Sequence, residues 1–177
     1  MKKTFLITLA IFSATIFQGC STIPSSSTTM KLTSTAFENN KLIPSEYTCD
    51  GQGTIPPLQI SAVPANAKSL ALIVHDPDAP IAGGFTHWVM WNIPPQTPSI
   101  VTMLPAGAIE GQNGASKTGW YNPCPPSGTH HYEFKLYALD TMLQLEPTTN
   151  KTALEKAMAG HILDEAMLVG LYKKTSP

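Results

Sequence analysis

Short apolar segments, separated by long stretches rich in proline and glycine, restrict this chain to a fold built mainly from strands. Of the 177 residues, 16 are proline, which is excluded from the interior of helices and of central strands. The stretches rich in proline and glycine cover residues 76–84, 94–119 and 122–128. A chain of this length favours one domain, whose strands are joined by long loops.

The apolar segments have the residue patterns of strands. Residues 70–74 are apolar throughout, which is typical of a strand buried on both faces. Residues 86–93 carry two tryptophans and are followed by a Pro-Pro pair, which ends the strand. Residues 130–139 are apolar at every second position, so these side chains should share one face. Residues 31–36 and 58–61 are weaker strand candidates.

Only the C-terminal part of the sequence predicts a helix. Thr152 is the expected N-cap, Glu155 completes a capping box three residues later, and Gly160 ends the helix. Residues 162–165 are expected to form a short turn, and residues 166–172 a closing strand. The predicted fold class is mainly β: a β-sandwich with a small peripheral C-terminal helix.

The first residues predict export. Lys2 and Lys3 precede an uncharged apolar segment, residues 4–17, that is too short to cross a hydrocarbon core of about 30 Å as a helix. Residues 1–19 are therefore predicted to be a signal peptide of the lipoprotein type. A buried N-terminal helix is the alternative, which is disfavoured because no polar face alternates through the segment.

Cys20 is the expected site of lipidation. Residues 17–20 resemble a bacterial lipobox, although phenylalanine stands where leucine is usual. Residues 20–30 are predicted to be the lipidated cysteine and a flexible tether, and residues 31–177 the folded domain. Ser21 favours the outer over the inner membrane, so we expect a periplasm-facing domain anchored to a bacterial membrane. Cleavage of the signal without lipidation is the alternative.

The charge distribution excludes one class of partner. The net charge is −1, charged residues make up 13% of the chain, and lysine and arginine form no cluster. A nucleic-acid-binding surface needs such a cluster. No nucleic-acid partner is therefore expected.

Polar residues gather near the ends of the predicted strands in three places. Asp76 follows the buried strand on a loop stiffened by prolines, although an Asp-Pro-Asp sequence is also common in turns that have no functional role. His75 faces the opposite side of the strand and is interpreted as structural. His87 is either a ligand-binding residue or a hydrogen-bonded core histidine. His130 and Tyr132 share a strand face after a proline-rich loop. This strand either forms a pocket wall or is an exposed edge strand.

Together these segments resemble the phosphatidylethanolamine-binding protein family, most closely its bacterial branch labelled Raf-kinase-inhibitor-like. The resemblance extends over about residues 32–173. It implies a β-sandwich whose loops meet at one small pocket for an anion such as phosphate, acetate or a phospholipid head group. The segments that match in order and spacing are 48–51, 76–80, 87–88, 123–126 and 130–132, with a similar tail at 160–172.

The resemblance also implies roles for individual residues. Protonated histidines, a tyrosine hydroxyl and backbone N–H groups can donate to anionic oxygens, and a carboxylate can orient a histidine. Asn122 stands where the family usually has glycine, so its side chain could narrow the site. By motif position, the pocket is lined by Asp76, His87, His130 and Tyr132, supported by Asp78, and walled by the backbone of Asn122, Pro123, Cys124 and Pro125.

A disulfide between Cys49 and Cys124 is expected, because the resemblance brings their loops to the same end of the sandwich. They are the two cysteines left once Cys20 is assigned to lipidation, and an exported protein meets an oxidising compartment. A pair of buried free thiols near the pocket is the alternative.

Three kinds of function are consistent with these features. The first is a module that binds a small anionic ligand, without a cofactor or a metal. The second is protein interaction, such as inhibition of an enzyme by an exposed apolar loop at residues 94–105, with an unknown partner. The third, an enzyme, is disfavoured: Asp76, His87 and His130 can be drawn as a metal or acid–base site, but no Gly-x-Ser-x-Gly or His-Glu-x-x-His motif is present.

Overall fold

The computed structural model describes residues 29–101 and 103–175, which form two β-sheets and a single α-helix. The predicted signal peptide, Cys20 and most of the predicted tether lie outside the described residues. Within the described ranges, no helix has the length and apolar character needed to cross a membrane. The elements are β1 (Lys31–Ser34), β2 (Lys41–Leu42), β3 (Leu58–Ser61), β4 (Ser69–Asp76), β5 (Phe85–Ile93), β6 (Ser99–Ile100), β7 (Ile109–Glu110), β8 (His130–Leu139), α1 (Lys151–Met158) and β9 (Ile162–Tyr172).

The two sheets differ in size, and the larger one carries the centre of the fold. The smaller sheet has the strand order β1-β3-β6, and the larger has the order β2-β9-β8-β4-β5-β7. All paired strands are antiparallel except β2 and β9, which run parallel. The predicted mainly β class with a small C-terminal helix is confirmed.

Strand β4 is buried along its whole length because both of its faces are covered. Leu70, Leu72 and Val74 belong to the larger core, which also takes in apolar side chains of both sheets. Ala71 and Ile73 belong to a second core on the other face, to which α1 contributes. Two covered faces explain why this segment is apolar at every position rather than at alternate ones.

The start of the helix differs from the prediction. The side chain of Asn150 is the N-cap and accepts a hydrogen bond from the N–H of Ala153 at 3.1 Å. The capping box predicted at Thr152 is therefore wrong. Glu155 instead forms an ion pair with Lys151, one helical turn earlier, at 3.0 Å.

The start of β9 also differs from the prediction. Residues 162–165 were expected to form a turn, but they are the first part of one strand, Ile162–Tyr172. Asp164 and Glu165 give this part no apolar periodicity. Its conformation is set by pairing with β8, which continues along the whole strand.

Candidate functional site

Two buried residues, Asp76 and His130, meet where β4 ends and β8 begins. The two strands are antiparallel neighbours, which brings these ends together. His130 Nδ1 donates to Asp76 Oδ2 at 2.7 Å, and the N–H of Asp78 donates to Asp76 Oδ1 at 2.9 Å. The His130 and Asp76 side chains are only 8% and 5% exposed. Both carboxylate oxygens thus have a donor, and Nε2 is the remaining polar atom of the His130 ring.

Asp78 attaches the same loop to β8 from the outside. Its Oδ2 accepts hydrogen bonds from the backbone N–H of His131 at 2.8 Å and from His131 Nδ1 at 2.7 Å. The side-chain hydrogen bond, followed by the backbone one, holds the pKa of Asp78 below its usual value. The position of Asp78 suits the supporting role expected from the family resemblance.

His87 lies near the start of β5 with its ring oriented by Tyr121. His87 Nδ1 is 2.7 Å from the carbonyl oxygen of Tyr121, whose N–H donates to the carbonyl of His87 at 2.9 Å. A carbonyl oxygen can only accept, so Nδ1 carries a proton. Burial lowers the pKa of His87 to about 4, which keeps the ring neutral near pH 7 and leaves Nε2 as an acceptor. This differs from the expectation that the site histidines are protonated donors.

Two buried polar atoms at the site have no hydrogen-bond partner among the described residues: Nε2 of His87 and the hydroxyl oxygen of Tyr132. Their rings pack edge to face with centroids 5.1 Å apart. Burial, followed by the Asp76 carboxylate, raises the pKa of Tyr132, so its hydroxyl remains a donor. Leaving such an atom unpaired costs about 1–3 kcal/mol. A molecule bound at this position could donate a hydrogen bond to His87 Nε2 and accept one from the Tyr132 hydroxyl.

These side chains line one cavity of about 220 Å³. The structure brings Asp76, His87, His130 and Tyr132 together in its wall, although they come from three separate strands. Most of the remaining lining is apolar and could not be predicted from the sequence, because no local periodicity distinguishes these loop and strand-end residues from others. This part consists of Ala79, Pro80, Ile81, Phe85, Tyr121 and Pro126.

A disulfide fixes one wall of the cavity. Cys124 and Pro125 line the cavity as expected, and Cys124 is bonded to Cys49 as predicted. The N–H of Cys49 also donates to the carbonyl of Pro123 at 3.0 Å. The proline-rich loop is thus joined to a second loop both covalently and by a backbone hydrogen bond.

Asn122 and Pro123 do not line the cavity, in contrast to the expectation for the wall. The side chain of Asn122 lies against Gly53, where a Cβ would come within 2.9 Å of Asn122 Nδ2. Gly53 also has a φ of +68°, so glycine is favoured there for two reasons. Because the Asn122 side chain is directed toward Gly53, it does not narrow the site.

The described residues contain no group of three or more histidine, cysteine, aspartate or glutamate side chains arranged to hold a metal ion. Two of the nitrogen and oxygen atoms that such a site would need are already bonded, since Asp76 Oδ2 binds His130 and His87 Nδ1 binds Tyr121. The geometry gives no support to a metal site formed by two histidines and one carboxylate.

The sequence profile of the phosphatidylethanolamine-binding protein family matches residues 33–173. The chain belongs to this family. It is 49% identical over 151 residues to a UPF0098 protein of Methanothermobacter thermautotrophicus, an alignment that covers 82% of this chain and 99% of the relative. Membership of the family supports a ligand-binding role in general.

Two solved structures of family members have the same fold. One is a phosphatidylethanolamine-binding protein homologue of Chlamydia trachomatis, with 43% identity and a TM-score of 0.79 over 82% of this chain and 98% of that chain. The other is YbcL of E. coli, described as a new member of the mammalian family, with 29% identity and a TM-score of 0.78 over 84% of this chain and 100% of that chain.

Proposed function

We propose that this protein is an exported module, tethered to a bacterial membrane through Cys20, that captures a small ligand bearing anionic oxygens. The ligand binds in the cavity between β4, β5 and β8, as phosphate, a carboxylate or a phospholipid head group. One observation carries this proposal: the cavity wall contains two buried, unpaired polar atoms, His87 Nε2 and the Tyr132 hydroxyl, beside the Asp76–His130 pair.

The available hydrogen-bonding atoms favour a ligand rich in oxygen. The Tyr132 hydroxyl donates, and His130 Nε2 also donates whenever that ring is protonated, because Nδ1 is bound to Asp76. Anionic oxygens accept such charge-assisted hydrogen bonds well. The cavity of about 220 Å³ is smaller than the pockets of roughly 300–1,000 Å³ that hold drug-sized molecules. It therefore suits a phosphate-sized group with a small substituent.

Replacing Tyr132 with phenylalanine tests the binding role without disturbing the fold. Tyr132→Phe removes a hydroxyl that has no partner among the described residues, so the free energy of unfolding should stay the same or rise by about 1 kcal/mol. Calorimetric titration should show that affinity for phosphate and phosphoethanolamine falls by about tenfold.

Tyr137 provides a matched control, because it lies on the same strand but in the second core. Tyr137→Phe should leave the affinity unchanged. Equal affinities of wild type and Tyr132→Phe would contradict the proposed site. Failure of the wild type to bind any of these anions would contradict the proposed function.

The export and tethering part of the proposal rests on the N-terminal sequence. Wild-type protein should partition with membranes, whereas Cys20→Ser should be released or stalled in processing. A wild type that is soluble in the periplasm and begins at another residue would contradict tethering.

Protein interaction is a second candidate, which one observation favours. Val101, Met103 and Leu104 are apolar but 42%, 82% and 43% exposed, and they lie within residues 94–105, where the sequence predicts an exposed apolar loop. If inhibition of a protein partner is the function, Met103→Ser should weaken that inhibition without changing anion affinity. Tyr132→Phe should then have no effect on inhibition.

A further inference from the structure

We infer that the cavity selects an oxyanion that still carries a proton, and that it prefers the monoanion of a phosphomonoester to sulfates and phosphodiesters of the same charge. This inference rests on the proposed function and specifies the class of ligand for that site. Its basis is the direction of the hydrogen bonds around His87.

The proton on His87 Nδ1 is fixed by its surroundings. The Tyr121 carbonyl accepts it at 2.7 Å, and the Tyr121 N–H binds the His87 carbonyl in return. The adjacent residue, Trp120, donates from Nε1 to the carbonyl of Gly53 at 3.0 Å, which holds the same loop in place. The Nδ1 proton therefore cannot be exchanged for a lone pair without moving this loop. Nε2 is left either as an acceptor or as part of a cationic ring.

A cationic ring is disfavoured at this position. His87 is 3% exposed, and burial lowers its pKa to about 4. The Tyr121 carbonyl and, after it, the Asp76 carboxylate favour protonation, but burial outweighs both. The two Asp76 oxygens already accept hydrogen bonds from His130 and from the backbone of Asp78. Nε2 is thus an acceptor. The titratable groups that act on the ring electrostatically are Asp76 and His75 from β4 and His130 from β8. The rings of Tyr132 from β8 and Tyr121 from the loop pack against it.

A neutral acceptor in the wall requires a donor on the ligand. Sulfate esters and phosphodiesters have only accepting oxygens near neutral pH, so their lone pairs would face the lone pair of Nε2. The monoanion of a phosphomonoester has one P–OH group that can donate to His87 Nε2. Its remaining oxygens can accept from the Tyr132 hydroxyl and from His130. This ligand pairs each of the unpaired atoms with a group of the opposite kind.

Three small ligands of equal charge test the inference. Methyl phosphate near pH 5.5 is mostly a monoanion, because the second pKa of a phosphomonoester is about 6. Dimethyl phosphate and methyl sulfate are also monoanions, of similar size, but without a proton. Calorimetric titration of the mature protein should give methyl phosphate at least about tenfold higher affinity than the other two. Equal affinities would overturn the inference and leave the proposed function standing, whereas no binding of any of the three would contradict the proposed function.

The pH dependence separates the proton on the ligand from protons on the protein. Between about pH 5.5 and 7.5, methyl phosphate loses its proton, whereas dimethyl phosphate does not titrate. Affinity for dimethyl phosphate therefore reports protonation changes of the protein alone. The affinity for methyl phosphate should fall more steeply, and parallel pH profiles would overturn the inference.

The state of His87 can be observed directly by ¹⁵N NMR. In the methyl phosphate complex, we expect the neutral ring with its proton on Nδ1; an imidazolium signature would overturn the inference. His87→Gln offers a second test, because a side-chain amide can donate as well as accept. The preference for methyl phosphate over methyl sulfate should then drop to about one, and a preference that persists in a folded variant would contradict the role of His87. If the variant does not fold, the NMR result decides.

Soluble and lipid sources of the ligand share the same chemistry. Glycerol 3-phosphate and short-chain phosphatidic acid carry a phosphomonoester on a soluble and on a lipid body, respectively. Both ligands should show the same pH dependence of binding as methyl phosphate. The one that binds more tightly identifies the source. Binding of neither would contradict the assignment to phosphomonoesters.

Discussion

Two pairs of histidine and aspartate lie side by side in this protein, and burial distinguishes them. Asp76–His130 and Asp78–His131 each join Oδ2 of the carboxylate to Nδ1 of the ring over 2.7 Å. The side chains of the first pair are 5–8% exposed, whereas those of the second are 41–53% exposed. The first pair lies in the cavity wall, and the second attaches the loop to the outer face of β8.

The comparison shows that contact geometry alone does not set the energy of an ion pair. Exposed pairs contribute only about 0–1 kcal/mol, because water competes for both partners. Removing one partner of a buried pair costs about 3–5 kcal/mol, because the other charge is left in a poorly solvated position. The two pairs should therefore respond very differently to the same substitution.

The largest expected effect is that of His130→Ala. It leaves the Asp76 carboxylate buried without its main donor, so the free energy of unfolding should fall by about 3 kcal/mol. Affinity for phosphate should also fall by at least about tenfold. Urea denaturation and calorimetric titration measure the two effects. His75→Ala, on the opposite face of β4, is the control for binding. If it weakened phosphate affinity more than His130→Ala does, the ligand would bind on the other face of the sheet, and the proposed site would be contradicted.

A third histidine sharpens the comparison, because His87 is buried but has no carboxylate bonded to it in the described structure. Its pKa is about 4 in the folded protein against an ordinary value of 6.5, so the unfolded chain takes up the proton first as pH falls. The contribution of the neutral His87 ring to the free energy of unfolding is complete above pH 6.5. It is lost as pH falls toward 4, by about 3 kcal/mol in total. Unfolding free energies across this range should decline less steeply for His87→Gln than for wild type. Parallel curves would show that another group causes the acid sensitivity.

The smallest expected effect is that of Asp78→Asn. This pair is exposed, so unfolding should become easier by at most about 1 kcal/mol, with anion affinity unchanged. The pKa of Asp78 is lowered from 3.8, so its contribution is present above that pH and is lost as pH falls below it. Thermal unfolding of wild type and Asp78→Asn at neutral pH measures the size of this effect, and the same comparison near pH 3 measures its loss. A loss as large as that of His130→Ala would break the distinction between the two pairs.

Strands with a strong local pattern could be predicted from the sequence, whereas strands defined by distant partners could not. The apolar run within β4 results from burial on two faces, and the alternation in the first part of β8 results from burial on one face. Strands β2, β6 and β7 have two residues each, too few to show any periodicity. They exist because a neighbouring strand supplies hydrogen bonds, as β8 does for the start of β9, which has no strand periodicity of its own.

The members of the cavity wall could be predicted only through a motif resemblance, because local sequence does not bring them together. Asp76 and His130 are 54 residues apart in sequence. The protonation of His87 could not be predicted at all, since it depends on the carbonyl of Tyr121, 34 residues away, and on burial. The position of Asn122 likewise depends on Gly53, which lies in another loop.

The bond between Cys49 and Cys124 also affects how the chain responds to proteolysis. It closes a covalent ring, with a sequence separation of 75, that contains β3 to β7 and the exposed Met103. A protease that cuts beside Met103 opens this ring but does not divide the molecule, because the two sulfur atoms still join both pieces. Nicked protein should migrate as one species on a non-reducing gel and as two fragments after reduction. Until reduction, the fragment that carries Asp76 and His87 stays attached to the one that carries His130 and Tyr132.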